Sequence, residues 1–97
     1  MTQAQINLIQ EARKEVAKRT GDMCRSGIDV YFNVNKATGT VVCIRKYKAD
    51  TDLDRAQVGV SRCARDDRFI TPIGQLIALC RASGKSIPNK FLHADLS

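Results

Sequence analysis

Hydrophobic residues recur along this chain at two different periods, and the order of those periods is the strongest constraint on its fold. Between residues 3 and 19, Leu8, Ile9, Ala12 and Val16 share one face of a helix. Thr2 is placed to cap its start, and Thr20-Gly21-Asp22 reads as its end. The period then drops to two. Ile28, Val30, Phe32 and Val34 alternate with Asp29, Tyr31 and Asn33, the pattern of a half-buried strand. Asn35 to Gly39 has turn chemistry, with Gly39 free to take a positive φ. A second strand runs from Thr40 to Lys48, with Val42 and Ile44 on one parity and Val41, Cys43 and Tyr47 on the other. A third, Arg55 to Cys63, sets Ala56, Val58 and Val60 against Gly59 and Ser61. The small pair leaves room for a close approach, for which the backbone of the C-terminal tail is one source.

The helical period returns at Ile73, Leu76, Ile77 and Cys80. Thr71 reads as the cap, Pro72 as the first helical residue and Gly84 as the stop. The order is therefore α-β-β-β-α. Short connections make the three strands an antiparallel meander. Two helices with apolar stripes must both be covered, and the simplest arrangement packs them on one face of the sheet. This is an α+β fold. The 97 residues suffice for one domain with a core of about 3–84 and an irregular tail, 85–97, pinned by Ile87, Phe91 and Leu92.

Several function classes are poorly served. No apolar run approaches the length of a membrane span. The first residues match neither a secretory signal nor a transit peptide, so a cytoplasmic protein is expected. Cys24, Cys43, Cys63 and Cys80 lie far apart, without the close pairs that zinc sites use, and Cys43 and Cys80 read as small core residues. Asp50, Asp52 and Asp54 alternate as in a calcium loop, but the glycine and distal glutamate of such loops are missing. The single histidine, His93, stands in the tail, and no glycine-rich phosphate loop occurs. No enzyme activity, cofactor, metal or small-molecule substrate is expected.

Binding remains, and charge supplies two surfaces for it. The net charge is +6, with nine Lys/Arg against four acids in residues 1–48 and seven against six thereafter. One surface is basic. Arg13, Lys14, Lys18 and Arg19 crowd the second half of the first helix, where they complement the helix dipole or meet a polyanion. Arg45, Lys46 and Lys48, with Tyr47 interleaved, end the second strand. The other surface is acidic. Asp50, Asp52 and Asp54 precede the third strand, and Asp66 and Asp67 follow it, with Phe69 alongside. Either these aspartates are ordinary turn and cap residues, or they form a local acidic edge.

The α-β-β-β-α order over residues 3–84 resembles the double-stranded RNA-binding domain. That resemblance implies a first helix and a β1–β2 hairpin that meet minor grooves, and lysines at the second helix start that meet phosphates. The corresponding stretch here, Thr71-Pro72-Ile73-Gly74-Gln75, has no lysine. Gly59-Val60-Ser61-Arg62-Cys63, Asp66-Asp67 with Phe69, Ile73-Gly74 and Ile77-Ala78-Leu79 with Arg81-Ala82 together resemble a pattern in small bacteriophage and prophage proteins. The size and composition are similar to those of anti-CRISPR inhibitors. The resemblance implies an inhibitor in the host cytoplasm that contacts the protein subunits of a CRISPR effector complex and blocks its DNA site, with the acidic edge as a DNA mimic. The basic helix and strand end imply the other reading, a duplex nucleic-acid-binding module.

Overall fold

The computed structural model describes residues 2–49, 55–63 and 70–92. Among them the order is α1 (Gln3–Arg25), β1 (Ile28–Asn35), β2 (Thr40–Tyr47), β3 (Gln57–Arg62), α2 (Thr71–Ser83) and α3 (Asn89–Leu92). The strands form one antiparallel sheet in the order β1-β2-β3. The fold is α+β, as the hydrophobic periods require.

Thr2 caps α1 through a reciprocal pair: its hydroxyl accepts from the Gln5 amide at 3.2 Å, and the Gln5 side chain accepts from the Thr2 amide at 2.7 Å. Ala12 is fully buried, with Leu8, Ile9 and Val16 packed beside it. The helix does not stop at Thr20-Gly21-Asp22. It continues to Arg25. The Thr20 hydroxyl donates back to the Val16 carbonyl at 2.8 Å, so its hydrogen bond is made inside the helix instead of ending it. Gly21 costs about 1 kcal/mol in a helix interior, but the extra turns carry Met23 onto the sheet side of the core. Gly27, at φ 79°, is the residue that turns the chain.

β2 is the central strand, and its pairing fixes two faces. Val41 and Cys43 are fully buried. Opposite them stand Val34 and Phe32 of β1 and Ser61 and Gly59 of β3. This face carries the helices. The other face presents Tyr31, Ile44 and Val58 in one cross-strand row and Asn33, Val42 and Val60 in the next.

α2 departs from its expected form in two ways. Ile70 is the cap residue and offers no side-chain cap; Thr71 and Pro72 are both inside the helix. The Gly74 amide bonds the Ile70 carbonyl at 3.0 Å, which closes the first turn one residue earlier than expected. The second departure is burial. The stripe Ile73, Leu76, Ile77 and Cys80 meets Ala12 and its neighbours on α1. A second stripe, Ala78, Leu79 and Ala82, packs on Val41 and Cys43. α2 thus packs against both α1 and the sheet, and α1 reaches the sheet as well through Met23. It ends at Gly84, φ 66°, where the Lys85 amide reaches back to the Cys80 carbonyl at 2.9 Å.

The close approach at β3 is made by α2, not by the tail. A Cβ on Gly59 would lie 2.1 Å from the Ala78 carbonyl oxygen and 2.3 Å from the Ala82 nitrogen. Only a residue without Cβ lets the helix backbone rest there. Within the tail, Asn89–Leu92 form one turn, α3, whose Phe91 is 2% exposed and joins the α1–α2 cluster with Ile87. Lys90 pairs with Glu11 and so ties that turn to α1. Gly59→Ala should therefore lower stability by about 3 kcal/mol, read from the denaturant midpoint. Val58→Ala on the open face should change it by no more than about 0.5 kcal/mol. Equal effects would mean that α2 does not rest on β3.

Candidate nucleic-acid interface

The seven basic residues singled out in the sequence separate into two groups. Arg13, Lys14 and Lys18 are exposed on α1. Lys14 and Lys18 lie one turn apart on the side away from buried Ala12, and Arg13 flanks them. None of the three has an ion-pair partner among the described residues.

Arg19 is instead half-buried, 30% exposed, and tied to neighbouring side chains. Its Nε pairs with Glu15 at 3.1 Å, and its Nη1 lies 3.1 Å from the Cys80 sulfur on α2. Arg45 lies on the helix side of β2. Its guanidinium bonds the Gln57 side chain, and its Nε is buried without a partner. Lys46 falls on the open face, because successive residues of a strand alternate sides. Lys48 sits 3.4 Å from the Cys24 sulfur and 3.9 Å from Asp29. The strand end is thus divided between two faces, and a reading of composition without parity merges them.

The acidic edge, Asp50, Asp52, Asp54, Asp66, Asp67 and Phe69, lies outside the described residues. All four described acids are already paired: Glu11 with Lys90, Glu15 with Arg19, Asp22 with Arg25, and Asp29 with Lys48. Arg13, Lys14, Lys18, Lys36, Lys46, Arg62 and Lys85 are left with no ion pair among the described residues. Lys36, Arg62 and Lys85 are isolated in sequence, so no charge run marks them; position in the fold does. Lys36 stands at the hairpin tip, Arg62 at the end of β3 and Lys85 just past α2.

One concavity of about 430 Å³ opens between the C-terminal turns of α1 and the end of α2, lined by Arg19, Asp22, Met23, Ser83, Lys85 and Ser86. The described residues contain no group of three or more His, Cys, Asp or Glu able to hold a metal. No helix among them is long and apolar enough to cross a membrane. The chain has no significant match to any protein-family model, curated protein or solved structure.

The buried thiols carry the perturbed titrations. Burial pushes the Cys43 thiol from its ordinary 9.0 up to about 11, partly offset by the charge of Arg45. Burial also raises Cys80, against the charge and hydrogen bond of Arg19. A raised thiol pKa favours the folded state while the thiol is neutral. The stabilisation is complete below pH 9 and is lost as pH climbs from 9 towards 11, where the unfolded chain releases its proton first. Under reducing conditions, moving from pH 8 to about 10.5 should cost the native protein about 1–2 kcal/mol more than it costs Cys43→Val. Parallel pH curves for the two proteins would place Cys43 in water.

Proposed function

We propose that this chain is a non-enzymatic binding module for a polyanion, duplex nucleic acid first, which it meets on the outer side of α1. The observation that carries this reading is a net charge of +6 together with three exposed cations, Arg13, Lys14 and Lys18, that have no ion pair among the described residues and lie on the part of α1 away from its buried stripe. Cations that lack internal partners are free to replace the counterions of a phosphate backbone, and their release drives association. Arg13, Lys14 and Lys18 are the phosphate contacts, with Asn7 in line two turns below Lys14. The hairpin, with Lys36 at its tip, supplies a second contact. No lysine stands at the start of α2, so the contact across the intervening groove is weak and affinity depends on the other two regions.

A second reading has its own support. The row Tyr31, Ile44 and Val58 is uncovered, with Tyr31 51% and Val58 57% exposed. Exposed apolar rows of this kind suit protein contact. Under this reading the chain is a phage or prophage inhibitor that docks on a CRISPR-type surveillance complex in the host cytoplasm and blocks its DNA site, with the aspartates of 50–54 and 66–67 entering that site.

Duplex binding, followed by fluorescence anisotropy between 50 and 200 mM salt, tests the first reading. Reversing Arg13, Lys14 and Lys18 to Glu together should weaken binding at least tenfold at the lower salt. It should also flatten the log–log salt slope by about 0.9 for each phosphate that is no longer neutralised. Arg19→Ala should lower stability and leave the slope unchanged. A slope untouched by the triple reversal removes α1 from the interface.

The second reading predicts that the protein co-purifies with a CRISPR ribonucleoprotein and stops it binding target DNA. Asp66→Lys with Asp67→Lys should abolish that block. A protein that binds duplex tightly but captures no such complex is not an inhibitor of this kind.

A further inference from the structure

The open face of the sheet has a charge pattern as well as an apolar centre, and together they specify an occupant. The centre is two cross-strand rows, Tyr31–Ile44–Val58 and Asn33–Val42–Val60. One step beyond the first row, on β2, stands Lys46; one step beyond the second, on β3, stands Arg62. Neither cation has an ion pair among the described residues, and the acid opposite Lys46, Asp29, is paired with Lys48 instead. Three two-residue steps separate the two ends, roughly 20 Å along the strands. The face is therefore a mostly apolar strip, interrupted by Asn33, with one cation that has no ion pair among the described residues at each end.

We propose that this face docks an amphipathic helix of a protein partner, about 13–14 residues long, with an apolar side and a carboxylate at each end. That length matches roughly 20 Å at 1.5 Å per residue. The helix would supply to the open face the layer that α1 and α2 supply to the other. Its carboxylates would meet Lys46 and Arg62, whose charges otherwise face water.

A second copy of this chain fits less well. Two open faces brought together oppose cations with cations. Single-stranded nucleic acid fits less well too, since the face offers one aromatic ring for stacking where such surfaces use several. The inference rests on the reading in which the open face meets protein. It adds the charge and secondary structure of what is met.

The test uses two synthetic 14-residue amphipathic peptides, alike in their apolar side, one with Glu at both ends and one with Lys. Each is titrated into isotope-labelled full-length protein and followed by amide chemical shifts. The Glu-ended peptide should give saturable shifts confined to the rows of Tyr31 and Val42, and bind at least tenfold tighter than the Lys-ended one. Lys46→Glu with Arg62→Glu should reverse that preference. Val58→Lys should remove binding of both while the protein stays folded. Equal binding of the two peptides would overturn the acidic occupant and leave protein contact at this face intact. Shifts on α1, or a dimer in sedimentation that Val58→Lys dissolves, would overturn the proposal in favour of another surface or a second copy. Failure of both peptides, with open-face shifts on adding single-stranded DNA, would overturn it together with the protein-contact reading.

Discussion

The contact on which the rest depends is the backbone of α2 lying directly on Gly59 of β3. A side chain there would hold the helix away from the sheet, because its Cβ would fall within 2.3 Å of two backbone atoms. With the helix seated, Ala78, Leu79 and Ala82 reach Val41 and Cys43, and the opposite side of α2 is offered to α1. One close approach therefore sets two interfaces. It also explains why α2 is buried nearly all round in so small a chain. α2 packs against both α1 and the sheet, which leaves Arg81 as its one exposed residue.

That arrangement decides what is left for function. Both helices occupy one face of the sheet, so their exposed surface and the open face of the sheet look in opposite directions. α1 gives its inner side to α2 and its outer side to solvent, and that outer side carries Lys14 and Lys18 without partners. Arg19, on the same helix, is drawn inward by Glu15 and the Cys80 sulfur. Helix geometry sorts a cluster of four basic residues into three that can meet a ligand and one that holds the core. Strand geometry does the same to Arg45, Lys46 and Lys48.

The order of elements was legible because it rests on period alone, and period survives in Leu8-Ile9-Ala12-Val16, in Ile28-Val30-Phe32-Val34 and in Ile73-Leu76-Ile77-Cys80. The ends were less so. Gly21 and Gly27 offer the same stop signal; Met23, which has something to pack on, decides between them. The second stripe of α2 was hidden because Ala78 and Ala82 are too small to raise an apolar signal, although smallness is what lets them sit on β3. The basic interface was half visible. Clustering pointed to Arg13, Lys14 and Lys18, but also to Arg19. Two of the acid pairs, Glu15–Arg19 and Asp22–Arg25, follow helical spacing and are visible in the sequence, whereas Glu11–Lys90 and Asp29–Lys48 join distant segments and have no sequence signature.

Charge and burial also constrain each other here. A net charge of +6 on a chain of 97 residues repels itself and opposes the compact state. The chain tolerates it by spacing its unpaired cations over separate surfaces: the outer side of α1, the hairpin tip, both ends of the open face and the segment past α2. Lys46 and Arg62 share the open face of the sheet, and the exposed cations of α1 lie on the other side of it. A single extended anion that neutralised α1 would therefore leave Lys46 and Arg62 untouched, and a partner on the open face would leave α1 free. The two surfaces compete only through the residual field of the whole body, which salt screens within about 8–10 Å. Binding of an anion at one should then weaken binding of an acidic partner at the other at low salt, by lowering the positive field that attracts it, and become independent of it as salt rises.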